Sequence, residues 1–243
     1  MKPYILTKRN AIHIIDPKET VKGLLAAKKF VNQLVAGGKD LLLVGTKRQA
    51  RKAVEDGARG CNMHFVNDRW LGGCLTNFRT IRSRLSRLEM LEQLETDGLL
   101  AQRSKKERAR LLRETRKIKR NLDGIRRMDR LPGAVFVVDA HREVNALREA
   151  KKLGIPTLAL IDTDSDPDLV DIPIPGNDDA MRAIELIVGQ LCEAATAGKA
   201  ALPDKGEAPE GSAPPRAEPP AQEPAPAPAA EPIAPPAEGQ AQA

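Results

Sequence analysis

Aromatic residues are almost missing from this chain, with one Trp, one Tyr and four Phe in 243 residues. Its core must be aliphatic, and each aromatic position becomes a marker. Cysteine is scarce as well. Cys61, Cys74 and Cys192 are odd in number and form no C-x-x-C pair, which excludes a disulfide framework and reads as reduced thiols of a cytosolic protein. Cys61, His64 and Cys74 fit no zinc-ligand spacing, so no metal site is expected. No apolar run reaches the length of a membrane span, and residues 1–20 lack the apolar core and cleavage site of a secretory leader. The phosphate-binding fingerprints are absent too. There is no G-x-G-x-x-G, and Gly45-Thr46-Lys47 is no phosphate loop because Asp40 takes the first glycine's place. No serine sits in G-x-S-x-G, and His141 beside Asp139 has no partner nucleophile. No cofactor, small-molecule substrate or membrane partner is implied.

What is abundant is positive charge, unevenly placed. The chain carries a net charge of +6, yet residues 204–243 hold seven acids against two bases. Residues 1–203 are therefore about +11, which points to a polyanionic partner for the body. From Pro203 onward lie 12 of the 19 prolines, many alanines and no aromatic residue. Such a segment cannot bury enough apolar surface to offset its ordering entropy, so residues 201–243 are expected to be a disordered acidic tail.

The body alternates apolar runs with helical patterns. Ala11–Ile15 reads as a strand, and Asp16-Pro17-Lys18-Glu19 as a helix start with Asp capping and Pro in the first turn. Val21, Leu24, Leu25, Val31, Leu34 and Val35 form its stripe, ended by Gly37-Gly38. Asp40–Gly45 is a buried parallel strand, followed by a helix capped by Thr46 and running to Gly60. Lys47, Arg48, Arg51 and Lys52 then fall at the positive end of that helix dipole, where cations are unfavourable. The placement hints at an external anion, with a solvated basic face as the alternative. His64–Val66 is a short run. Residues 79–130 hold 17 Lys and Arg against eight Asp and Glu, with apolar residues at intervals of three or four. Asp97-Gly98 breaks the pattern and the capping box Ser104–Glu107 restarts it, which predicts a projecting antiparallel helical hairpin. Arg82, Lys105, Lys106, Arg113, Arg116, Lys117 and Arg120 lie on its basic faces, suited to phosphates. Ala134–Val138 and Thr157–Ile161 are buried strands around a helix over 140–153. Asp171–Pro175 is an edge-like segment broken by prolines, and Asn177 caps a last helix with Asp178 and Asp179 in its first turn.

The whole predicts an α/β body, a flavodoxin-like, doubly wound, five-stranded parallel sheet with the coiled-coil hairpin inserted after the third strand. The divisions are 1–78 and 131–200 for the body, 79–130 for the hairpin and 201–243 for the tail. The most distinctive stretch is Phe65–Thr80, FVNDRWLGGCLTNFRT. It is too polar and Gly-rich for a strand or helix and reads as an RNA-facing loop. Arg69 and Arg79 would meet phosphates, Asn67 and Asn77 sugars or bases, and Gly72-Gly73 would allow close backbone approach. In the alternative, Trp70, Leu71, Leu75 and Phe78 cap the core. A different class of function is offered by Asp162-Thr163-Asp164, which follows an apolar strand as in magnesium-dependent phosphatases of the haloacid dehalogenase type. Asp166-Pro167 occupies the place of the expected Thr or Val, and no lysine lies between this turn and Asp178. A turn whose Asp side chains bond local N–H groups is the favoured reading.

Six blocks in order resemble the bacterial small-subunit ribosomal protein S-two family over residues 1–198: RNAIHIIDPKET, LLLVGTKRQA, FVNDRWLGGCLTNF, SKKE, LPGAVFVVD and IDTDSDPDLVDIPIPGNDDA. The resemblance implies a structural, non-enzymatic protein with an α/β body and a protruding hairpin. Its implied partners are small-subunit ribosomal RNA, neighbouring ribosomal proteins and the large S-one protein, in the cytoplasm. By matching position, Arg69, Trp70, Asn77 and Arg79 fall in the family's loop at the hairpin base. Relatives carry a leading segment with H-F-G-H and W-N-P before the point that matches Met1, which leads to the expectation that coding sequence continues upstream. The Pro/Ala-rich tail exceeds the usual family length.

Overall fold

The computed structural model describes residues 1–100 and 102–201. The proline- and alanine-rich segment beyond residue 201, expected to be disordered, lies outside them. In chain order the body comprises β1 (Ile5–Arg9), β2 (Ile12–Ile15), α1 (Pro17–Ala36), β3 (Leu41–Val44), α2 (Arg51–Gly60) and β4 (His64–Val66). The helical pair α3 (Phe78–Thr96) and α4 (Lys105–Leu122) follows, then β5 (Ala134–Val138), α5 (Val144–Lys152), β6 (Thr157–Ile161), β7 (Ile172–Pro175) and α6 (Met181–Ala200).

Five strands form one parallel sheet in the order β4-β3-β5-β6-β7. Counted within the sheet this is 2-1-3-4-5, the flavodoxin-like order. Its strands are apolar on both sides because both faces are covered. Leu41, Leu43, Phe136, Leu158 and Leu160 pack with α1, α2 and α6, while Leu42, Val44, Val135, Val137 and Ile161 pack toward α5 and the base of the helical pair. The alternation along each strand is the two-residue period of the pleat.

The expected first strand is not in this sheet. Ile12–Ile15 pairs antiparallel with Ile5–Arg9 as a separate hairpin, turned through Asn10 and Ala11 at positive φ. Most of its side chains are exposed, whereas a central parallel strand needs burial on both faces. The fifth place in the sheet goes to the proline-interrupted run, which is tolerated there because β7 is an edge. Helix α1 also differs from its predicted stripe. Ala27, Val31 and Val35 are buried, but Val21 and Leu25 are exposed.

Both edges of the sheet are closed by backbone. A short 3-10 turn, Asp123–Ile125, lies so close on β4 that a Cβ on Gly124 would stand 2.1 Å from the Phe65 carbonyl oxygen. On the other edge, a Cβ on Gly23 of α1 would stand 2.6 Å from the Pro173 oxygen. Only glycine permits either approach.

Candidate RNA interface

The Trp-containing loop is organised by a carboxylate that sequence reasoning missed. Glu149, on α5, accepts at Oε1 from the Trp70 indole N–H (3.0 Å) and the Gly73 amide (2.8 Å). Its Oε2 accepts from the amides of Leu75 (3.1 Å) and Thr76 (3.2 Å) and from the Thr76 hydroxyl (3.2 Å). Burial pushes the Glu149 carboxyl up, but the Trp70, Gly73, Leu75 and Thr76 donors outweigh it and hold it below its ordinary value. Trp70 and Leu75 are buried, with Leu71 and Phe78 packed against the same core. The core-capping reading of these apolar residues therefore holds, and the Trp70 ring is not presented for base stacking. Asn67 donates to Glu55 (2.7 Å) and is also turned inward. Arg69, Asn77 and Arg79 remain exposed. A lone Glu on an amphipathic helix gives no sequence signal of such a role.

The cations expected at the start of α2 divide. The helix begins at Arg51, and Thr46 does not cap it. The Thr46 hydroxyl donates instead to buried Glu143, whose carboxyl burial pushes up. Arg142 in turn donates through Nε to the Thr46 oxygen (3.2 Å). Lys47 stands at the carboxyl ends of the strands. Its ammonium lies 2.6 Å from Asp178, 2.7 Å from Asp179 and 3.5 Å from Asp139. The anion that its placement called for is internal. Burial and the Asp139 charge push the Asp178 carboxyl up to about 6 against the pull of Lys47, because carboxylates outnumber the one ammonium. Despite its own burial, Lys47 is held in its charged form by Asp178 and Asp179. These groups occupy the crevice where an open α/β sheet ordinarily takes its ligand. Arg51 likewise finds Asp68 (2.8 Å), while Arg48 is exposed with no carboxylate within 4.0 Å among the described residues.

Asp68 joins the loop to the helical pair, since it also receives Arg120 (2.6 Å). The structure thus brings Arg51, Arg120 and the Arg69 end of the loop together, while Lys47 belongs to the other cluster. In α4, capped by Ser104 through the Glu107 amide, the positions Lys106, Arg110, Arg113, Lys117 and Arg120 are spaced by four and three. Residues so spaced share one helical face, and these span about 21 Å at 1.5 Å per residue. All five are exposed, and the opposite face carries the half-buried Leu111, Thr115 and Ile118 and buried Leu122. Of the five, only Arg120 has a carboxylate partner among the described residues. Lys105 and Arg116 are exposed beside the row, whereas Arg82 pairs with Asp129 (2.8 Å).

The D-x-D turn follows local turn chemistry. Asp162 accepts from the Thr163 amide (2.6 Å), Asp164 from the Ser165 hydroxyl (3.3 Å) and Asp166 from the Asp168 amide (3.1 Å). Asn177 accepts from the amides of Asp179 (2.7 Å) and Ala180 (3.1 Å), closing a turn that precedes α6 and does not cap it. Asp162, Asp178 and Asp179 are close enough to share an ion, but the Lys47 ammonium already stands on two of them.

The fold is of flavodoxin-like α/β type, with an internal ion cluster in its ligand crevice and a helical pair that carries a basic face among the described residues. The chain belongs to the ribosomal protein S2 family, whose profile matches residues 1–198. It is similar to the small ribosomal subunit protein uS2 of Rhodopirellula baltica, 56% identical over 215 residues, covering 86% of this chain and 83% of that protein. Membership makes it a structural constituent of the small ribosomal subunit and not an enzyme, and the phosphatase alternative finds no support. Among the described residues no helix is long and apolar enough to cross a membrane.

Proposed function

We propose that this chain binds small-subunit ribosomal RNA through the basic row of α4, with Arg69, Asn77, Arg79 and Arg48 contacting RNA at the foot of the hairpin. The carrying observation is the row itself. Four exposed cations without carboxylate partners among the described residues, Lys106, Arg110, Arg113 and Lys117, stand opposite the apolar seam. Arginines in such a row match phosphates bidentately, and their charge is unneeded for folding. Lys47 and Trp70, suggested by the sequence, drop out because their polar atoms are engaged inside the fold. The resemblance further supports a cytoplasmic location on the ribosome, contacts with neighbouring ribosomal proteins and a part in attaching the S-one protein.

Affinity for a small-subunit RNA transcript should fall steeply with salt, by a slope of roughly 0.7–0.9 per neutralised phosphate. Changing Arg110, Arg113 and Lys117 to Glu should weaken binding and flatten that slope while circular dichroism stays the same. Unchanged affinity in the folded variant would refute the assignment. Subunits reconstituted without the chain should also fail to retain S-one.

A further inference from the structure

A second set of cations gathers on the far side of the β4 edge. Arg59 from α2, Arg126 and Arg127 from the segment after the 3-10 turn, and Lys199 from the last turn of α6 line a depression of about 690 Å³. Asp40 and Asp123 line it too, Arg126 pairs with Glu92 (2.7 Å) and Arg59 with Glu55, so the cations left uncompensated among the described residues are Arg127 and Lys199. Burial holds the His64 imidazole below its ordinary value, with the Asp40 charge opposing. The depression is built around Asn62, which adopts a positive φ of 51° at the end of α2. The Asn62 side-chain oxygen accepts from Arg127 (3.2 Å), and its backbone oxygen accepts from Lys199 (2.8 Å). One residue thus brings together two cations that are far apart in the chain. Neither Arg127 nor Lys199 has a carboxylate within 4.0 Å among the described residues. Arg59 lies over the Phe65 ring at 5.8 Å and shares Glu55 at 2.6 Å, so its guanidinium is already oriented at the rim. Arg126 and Arg127 follow α4 closely in sequence, and the short turn after that helix lies against β4.

We infer that this depression is a second phosphate-binding site, which takes a backbone phosphate of the same RNA whose neighbouring phosphates meet the α4 row. It rests on the RNA-binding reading and extends that footprint past the hairpin. The chemistry is that of an anion held by an arginine fork and an ammonium at a partly enclosed surface, where field lines are less screened than on an open helix. A free phosphate would satisfy the same donors, so the test must separate the two sources.

The full-length protein would be titrated with a small-subunit ribosomal RNA transcript at several salt concentrations. Arg127→Gln and Arg59→Gln would be compared with the α4 reversal. Lys199 is left intact because its ammonium also holds the Cys61 carbonyl (2.9 Å) at the end of α2. The double variant should bind RNA roughly 3–10-fold more weakly, with a salt slope lower by about 1–2, and an unchanged melting temperature. Undiminished RNA binding in the double variant, beside a clear loss in the α4 reversal, would overturn this site and leave the RNA reading standing. No loss in either would overturn both. The His64 ring resonances give a local readout. RNA should raise the pH at which they titrate, and Arg127→Gln should abolish that rise. A saturable shift with inorganic phosphate alone, together with no response to RNA, would assign the depression to a free anion and overturn the inference.

Discussion

Removing the Glu149 carboxylate should collapse the Trp70 loop before it affects the sheet. The Glu149→Ala variant leaves the Trp70 indole N–H and the Gly73 and Leu75 amides without their acceptor, while the exposed Thr76 groups can turn to water. At about 1 kcal/mol for each of the three sheltered donors, the loss is about 3 kcal/mol. In a body of this size that lowers Tm by about 6–12 °C. Glu149→Gln should recover only part of it, because one oxygen remains and an NH2 group faces the other donors. The loop contains the only Trp in the chain, so its fluorescence reports this site alone. Emission should shift to longer wavelength as the indole meets water, and acrylamide quenching should rise. The pH dependence follows from the lowered carboxyl. Its contribution is complete above the ordinary value of 4.5 and is lost as pH falls through the still lower folded-state value, so the wild type and Glu149→Gln should converge in acid. A variant with unchanged Tm and unchanged Trp70 emission would refute the argument.

Three further outcomes follow from the same geometry. Lys47→Met should cost about 3–5 kcal/mol near neutral pH, since it strands buried Asp178. The folded-state value of Asp178 lies above its unfolded value of 3.8, so its effect on stability is most favourable below that and worsens as pH rises through 6. Removing Lys47 takes away the charge that pulls the Asp178 value down, so it rises further in the variant and the deficit in urea denaturation should be larger at pH 8 than at pH 5; the reverse order would count against the cluster as described. Gly124→Ala should destabilise by about 1–3 kcal/mol or more through the clash with the Phe65 oxygen, measured as a fall in the urea midpoint. Asp68→Asn releases Arg51 and Arg120, so RNA affinity should rise a few-fold with a steeper salt slope; weaker binding would show that Asp68 acts by positioning them.

The buried strands were legible in the sequence because continuous runs such as Ala134–Val138 and Thr157–Ile161 have few other uses, and the helical pair because Ser104 and Glu107 announce its second start. The first strand was misassigned to the sheet because an apolar run states its appetite for burial, not its partner. Only the pairing with Ile5–Arg9 removes Ile12–Ile15 from the sheet. Charge was legible as a total but not in its direction. Lys47 and Arg48 are neighbours in the chain, yet one faces three carboxylates and the other faces solvent. Those carboxylates arrive from β5 and the approach to α6, and Glu149 reaches the loop from α5, so both depend on tertiary contacts that local pattern does not encode.

The two closed edges matter most before the protein joins the subunit. A subunit component must exist for a time as free chains at appreciable concentration, and an open strand edge would let copies polymerise by strand addition. Here β4 is overlaid by the turn at Gly124, and β7 carries Pro173 and Pro175 beneath Gly23. The central sheet therefore offers a second copy no free ladder to extend, and the chain can wait unassembled without that sheet becoming a template for strand addition.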